Sequence, residues 1–145
     1  MIRQGQLSDI SAIHKINHEQ LHYDYPLDKT TANFQKILAD YKHHYLLVFE
    51  DEATKQVLGY VHAELYLETY EDVMFNILAL AVDRAAQKKG IGSQLMIKIE
   101  ELAKAQGISQ IRLNSGEERL GAHRFYEKMG YVSNKKQKRF YKKLI

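Results

Sequence analysis

The sequence predicts an α/β fold, a central twisted mixed β-sheet with helices packed on both faces. Three observations carry this expectation. Apolar residues recur at helical spacing in two early segments and again in two later ones. Between these pairs lie three runs of strand character, and the last, Val73 to Val82, is almost continuously apolar, as befits a strand covered on both faces. A helix and a further strand follow it, and such a crossover requires parallel neighbours.

Taken in order, Ile2 to Gln4 reads as a short opening strand. Ser8 is a good N-cap, and Ile10, Ile13, Ile16 and Leu21 continue a helix to about Tyr23. Pro26, the only proline, sits in the break that follows. A second helix is expected from about Thr31 to Tyr41. Strands then run from His44 to Glu50, from Val57 to Glu68 and from Val73 to Val82, with turns at Asp51 to Lys55 and Tyr70 to Asp72. Gly92 to Gln106 is amphipathic and stops at Gly107. Ile108 to Asn114 reads as a strand, Glu117 to Met129 as a helix ended by Gly130, and Tyr131 to Ile145 as two short strands around a basic turn.

Composition bounds the chemistry. The 145 residues suit one domain, 1–145, with a sizeable core, and 45% hydrophobic content is that of a globular protein. The absence of cysteine excludes disulfides, thiolate catalysis and cysteine-ligated zinc. A net charge of +3 is too small to imply nucleic acid. The N-terminal residues lack the basic-then-apolar pattern of a signal peptide, and no segment reaches the roughly 20 apolar residues of a membrane span. A cytoplasmic protein with no membrane or nucleic-acid partner is therefore expected. His14, His18 and His22 align along one helix but read as a solvent-facing stripe, so no metal site is expected.

The chemistry concentrates after the apolar strand. In Leu80-Ala-Val-Asp-Arg-Ala-Ala-Gln-Lys-Lys-Gly-Ile-Gly-Ser93 a strand enters a basic loop, then a glycine pair, then a helix. Glycine permits close backbone approach to a phosphate, and the first-turn N–H groups have no helical partner. The helix dipole and the charges of Lys88 and Lys89 favour an anion there. The run has neither the Walker spacing nor the third glycine of a dinucleotide fingerprint, because Leu95 stands at that place. The expected ligand is phosphorylated, but not a typical nucleoside triphosphate or NAD.

Gln87-Lys-Lys-Gly-Ile-Gly92 resembles the Gln/Arg-x-x-Gly-x-Gly/Ala pyrophosphate loop of the GNAT superfamily of N-acetyltransferases. Ala122-His-Arg-Phe-Tyr-Glu-Lys-Met-Gly-Tyr131 resembles that family's Ala-x-x-Phe-Tyr-x-x-x-Gly-Phe/Tyr helix. The resemblance implies acetyl-CoA as donor, a primary amine as acceptor and direct transfer in a ternary complex. It implies that pantetheine pairs with Leu80, Ala81 and Val82 where a bulge splays the strand near Asn114. It puts the pyrophosphate on Gln87, Lys88, Lys89, Gly90, Ile91, Gly92 and Ser93. Tyr126 matches the general acid, and Phe125 lies beside it as a cofactor neighbour. Arg119 replaces the asparagine many members carry; Arg119 and His123 share a helix face, and the resemblance makes both candidates for cofactor contact, with a surface pair as the alternative.

Glu64 is the expected general base, with an acceptor deprotonated in solution as the alternative; Glu68 and His62 share its strand face, and Asn76 could position a water. Tyr23, Asp24 and Tyr25 are expected to shape the acceptor cleft. The resemblance also suggests a homodimer. The acceptor stays open among small-molecule and peptide or protein amines. The alternative function is a non-catalytic acyl-CoA sensor.

Overall fold

The computed structural model describes residues 1–145. Its elements are β1 (Ile2–Gln4), α1 (Ile10–Leu21), α2 (Leu27–Ala39), β2 (His44–Glu50), β3 (Val57–Glu68), β4 (Glu71–Val82), α3 (Ile91–Ala105), β5 (Ile111–Leu113) and α4 (Leu120–Lys128). The five strands form one mixed sheet in the order β1-β2-β3-β4-β5. Every pairing is antiparallel except β4 with β5, which the α3 crossover makes parallel. The chain divides into two compact units, Met1–Asn114 and Ser115–Ile145.

In the first unit, strand alternation sorts the core into two layers. Leu46, Val48, Tyr60 and Ala81 pack with Ile10, Ile13 and Ile16 of α1 and Phe34 of α2. The intervening residues Leu47, Val61, Ala63, Phe75 and Ile77 are buried on the opposite face, which α3 covers with Ile91, Leu95, Met96, Ile99 and Ala103. Each fully buried side chain of this kind, such as Phe75 or Leu95, contributes roughly 1.5–3 kcal/mol.

Several element ends differ from expectation, each for a local reason. Ser8 is not the cap of the first helix. A short 3-10 turn at Leu7–Asp9 precedes α1, and Asp9 closes it by accepting a bond from the Gln6 N–H at 2.7 Å. Asp9 is buried and paired with Arg3, which also reaches Glu50. The second helix starts at Leu27, not Thr31, because Pro26 can sit at its N-cap and the Thr30 and Thr31 hydroxyls bond back to the carbonyls of Pro26 and Leu27. The β3–β4 turn occupies only residues 69–70, so β4 begins at Glu71. β5 is shorter than expected because Ile108 gives its N–H to the Ala103 carbonyl, closing α3 behind Gly107 in the left-handed conformation at φ +74°.

The second unit holds α4 and the residues after it. α4 begins at Leu120, three residues later than expected, because residues 116–119 form a turn in which Arg119 N–H bonds the Gly116 carbonyl. Gly130 ends the helix as expected, at φ +95°. The two strands expected over 131–145 are absent. An alternating pattern fits a strand but cannot make one without a hydrogen-bonded neighbour, and Val132, Phe140, Tyr141 and Leu144 are strongly exposed.

Candidate functional site

The antiparallel register of β3 and β4 slips between His62/Ala79 and Ala63/Ile77, leaving Leu78 as an extra residue in β4. The parallel pairing with β5 stops at the same point, with Ile77 opposite Leu113. Beyond the bulge, β4 therefore has an open edge. Asp83 N–H donates to the Leu58 carbonyl at 2.7 Å, which makes Tyr60/Ala81 and His62/Ala79 the bonded pairs by alternation. The backbone groups of Leu80 and Val82 consequently face the open edge, while those of Ala81 are used within the sheet. Val82 O accepts a bond from Gln87 Nε2 at 3.1 Å, and the same amide donates to Gln20 of α1 at 2.9 Å. Gln87 thus pins the loop between β4 and α3.

That loop turns through a 3-10 segment, Arg84–Ala86, whose Ala86 is buried. Lys88 and Gly90 then adopt left-handed backbone at φ +65° and +79°. Only glycine takes this conformation without cost; at Lys88 it stores roughly 1–3 kcal/mol of strain. α3 starts at Ile91 with no side-chain cap, and its first internal bond runs from Gln94 N–H to Gly90 O at 3.0 Å. The N–H groups of Ile91, Gly92 and Ser93 are left pointing out of the helix start, beside the exposed side chains of Lys88 and Lys89. One strand edge with open amides thus leads into one uncapped, positively flanked helix terminus. A chain bearing amides and then a diphosphate fits that run of donors and acceptors.

Gly59 makes the approach possible, and no local motif in the sequence signals it. A Cβ on Gly59 would lie 3.0 Å from Ala81 O, 3.2 Å from Val82 Cγ2 and 3.4 Å from Ile91 Cγ2. The bare backbone lets the end of β4 and the start of α3 close on the sheet together.

On the sheet face toward α1 and α2 runs a polar band. His44, Glu64, Asn76 and Arg112 are direct cross-strand neighbours on β2, β3, β4 and β5. Asn76 Nδ2 donates to Glu64 Oε2 at 2.8 Å, and Arg112 donates to Asn76 Oδ1 at 2.7 Å and to Asn114 Oδ1 at 3.0 Å. Arg112 also lies over the Tyr66 ring at 4.8 Å. Asn114 is therefore held by Arg112. Glu64 keeps one carboxylate oxygen, Oε1, without a bond from Asn76. His62 is buried beside this row, with Nε2 3.0 Å from His44 Nδ1. Burial, and then the neighbouring His44, push the His62 imidazole down to about 4.

Between α1 and α2 a hollow of about 220 Å³ is lined by His14, Asn17, Tyr23, Asp24, Tyr25 and Thr30. His14 Nε2 meets the Tyr25 carbonyl at 2.7 Å, and Asn17 accepts the buried hydroxyl of Tyr60. His14 is thus committed to shaping the loop. His18 and His22 are exposed, and no cluster of three metal-ligating side chains occurs.

The remaining candidates belong to the second unit. Tyr126 is half-buried on α4, edge-on to Phe125 and Tyr131 with ring centroids 5.2 and 5.9 Å away. Burial raises its phenol above the usual value near 10, against an opposing pull from Arg119. It is a protonated donor at neutral pH. His123 Nε2 bonds the Gly116 carbonyl at 2.8 Å, so that nitrogen closes the turn before α4. Arg119 is exposed at the helix start.

The model of the acetyltransferase (GNAT) family matches residues 10–131. No curated protein matches the chain. Among solved structures, the chain is similar to a transcriptional regulator from Bacillus halodurans C-125, with 23% sequence identity, a TM-score of 0.86 and coverage of 97% of this chain and 98% of that one. It is similar to aminoglycoside 6'-N-acetyltransferase AAC(6')-IG from Acinetobacter haemolyticus at 15% identity and TM-score 0.85, covering 100% and 99%. It is also similar to AAC(6')-Iy, solved with the bisubstrate analogue CoA-S-monomethyl-acetylneamine, at 16% identity and TM-score 0.84, covering 99% and 98%. The matched span takes in the released edge of β4, the turn into α3 and the α4 motif, and this chain belongs to the GNAT family of acetyltransferases.

Proposed function

We propose that residues 1–145 act as one N-acetyltransferase domain that moves an acetyl group from acetyl-CoA to a primary amine by direct transfer. The observation that carries this reading is the edge of β4, released by the bulge at Leu78 and continuing into the uncapped start of α3. Leu80 and Val82 would pair with the pantetheine amides, and Ala81 spaces them. Gln87, Lys88, Lys89 and Gly90 would shape the pyrophosphate seat, and the N–H groups of Ile91, Gly92 and Ser93 would fill it. Acetyl-CoA supplies an activated thioester carbonyl there.

The chain's own residues supply positioning and proton handling. Leu80 N–H on the open edge is oriented to stabilise negative charge developing on a carbonyl oxygen. Glu64, steadied by Asn76, which Arg112 holds in turn, draws the acceptor ammonium to the sheet face and serves as its general base. Tyr126 donates its proton to the leaving sulfur, a role supported by its motif position and by its protonated state. Without cysteine the obvious covalent acetyl carrier is missing, so holding both reactants together supplies much of the acceleration.

The acceptor is a cationic amine, in keeping with the tyrosines and Asp24 around the hollow between α1 and α2. The test is calorimetry with acetyl-CoA followed by free-thiol release across a panel of polyamines, aminoglycosides, amino acids and peptides. Saturable binding with turnover on at least one amine is expected. Binding without turnover on any amine would instead support the sensor reading.

A further inference from the structure

We propose that His62 and His44 form the route by which the acceptor's proton leaves the active face, a proposal that rests on the N-acetyltransferase reading above. His62 is buried near the middle of the sheet, directly opposite Ala79 and beside the bulged Leu78 where the β4 edge opens. Its Nε2 lies 3.0 Å from Nδ1 of His44, which is only half-buried at the start of β2. One of those two nitrogens must carry a hydrogen and the other must be bare, because two bare or two protonated nitrogens cannot bond. No other side chain bonds the outer nitrogens, Nδ1 of His62 and Nε2 of His44. The pair is therefore a two-ring wire with one free end inside and one toward water.

The step balances simply. Acetylation of an ammonium releases one proton overall. An N–H bond of the ammonium breaks and its electron pair stays on nitrogen, ready to attack. The proton arrives at bare Nδ1 of His62 from Glu64 or through one water. The hydrogen on His62 Nε2 crosses to His44 Nδ1, and His44 releases the hydrogen on Nε2 to solvent. Reorientation of the two imidazoles resets the pair for the next turnover, since return of the protons through the same ends would undo the transfer.

The surroundings favour passage over storage of the charge. On β3 the nearest titratable groups are Tyr60, whose hydroxyl is committed to Asn17, and Glu64, whose Oε2 is bonded to Asn76. β2 contributes His44 itself, and β4 contributes uncharged Asn76. Arg112 of β5 is bonded to Asn76 and Asn114. α1 meets this face with Ile10, Ile13 and Ile16, while its His14 is tied to the Tyr25 carbonyl, and α2 contributes Phe34. No carboxylate is bonded to either imidazole to trap it as a cation, and the low pKa of His62 agrees with brief occupancy.

The test compares wild type with His62→Gln and, at the more exposed end, His44→Gln. Both keep a hydrogen-bonding side chain, but neither amide can relay a proton. For an amine accepted by the wild type, kcat/KM near pH 7 should fall about ten-fold or more in each variant. The deficit should shrink as pH rises toward the amine's own pKa, because the acceptor then arrives deprotonated. Added imidazole should restore part of the rate, and acetyl-CoA affinity by calorimetry should stay within about two-fold. A deficit unchanged with pH, or wild-type rates in His44→Gln, overturns the relay while leaving the transferase reading intact. A wild type that binds no acetyl-CoA or acetylates no amine overturns both.

Discussion

Gly59→Ala isolates the physical condition on which the phosphate seat depends. The new Cβ would stand 3.0 Å from a backbone oxygen, Ala81 O, and 3.2 and 3.4 Å from methyl groups of Val82 and Ile91. Carbon contacts are optimal near 3.5–4.0 Å, so the end of β4 and the first residue of α3 must retreat by a few tenths of an ångström. Overpacking of this kind costs about 1–3 kcal/mol, and the stiffer unfolded chain returns roughly 0.4–1 kcal/mol. A net loss of about 1–2 kcal/mol follows, which lowers Tm by about 3–6 °C in a protein of this size. The same retreat moves Leu80, Val82 and the first-turn amides of α3, so acetyl-CoA affinity should fall about ten-fold, or roughly 1.4 kcal/mol. Gly107→Ala is the matched control. Its φ of +74° makes alanine cost about 1–2 kcal/mol, yet nothing lies within 4 Å of the added carbon, and it sits at the far end of the 15-residue α3. Thermal unfolding and calorimetry on both variants separate the effects. Equal loss of affinity in the two, or full affinity in Gly59→Ala, would refute the reasoning.

Tyr126→Phe should lower kcat by about 100-fold while calorimetry finds the acetyl-CoA Kd unchanged; parallel loss of both would make the residue a packing element. Lys88→Ala with Lys89→Ala should weaken acetyl-CoA binding about ten-fold at low salt. That gap should close near 1 M salt, where the screening length is about 3 Å; a salt-independent gap would point to a distorted loop. Folding stability should also record His62. Its folded pKa of about 4 lies below the ordinary imidazole value of 6.5, so its contribution is complete above pH 6.5. Between 6.5 and 4 the unfolded chain takes up a proton that the native state refuses, and stability falls as pH falls, by up to about 3 kcal/mol in total. Denaturant titrations should find this slope reduced in His62→Gln; identical pH curves would show that the native imidazole titrates normally.

The parts of the fold legible in the sequence were those in which burial imposes a period. β2 and β3 end where the sequence places them, and α3 is displaced by a single residue, because their apolar spacing is dense and bounded by turn residues. Helix starts were less legible where side chains compete for backbone groups. A 3-10 turn closed by Asp9 replaced the helix cap expected at Ser8, and the Thr30 and Thr31 hydroxyls bonded back to the backbone of α2. The tail after Gly130 has the alternation of a strand with no ladder to join, a condition that sequence spacing does not encode. The loop from Gln87 to Ser93 was legible because its chemistry is local: glycines, lysines and a helix start lie within seven residues. Gly59 was not, since its importance comes from atoms of Ala81 and Ile91, which are distant in sequence.

The bulge at Leu78 ties these observations together. A regular β4 would pair with β3 and β5 along its length, and every main-chain donor near Leu80 would be consumed by the sheet. One extra residue ends the parallel pairing at Ile77 and Leu113, and shifts the side-chain phase of β4 by one. The shift brings Ala79 opposite His62 while Asn76 stays opposite Glu64, so a small residue and a polar one flank the opening on the same face. A single inserted residue thus exposes the backbone edge and sets the polar band beside it. Deleting Leu78 should restore regular pairing, raise thermal stability and abolish acetyl-CoA binding together, an outcome that no loss-of-contact substitution would produce.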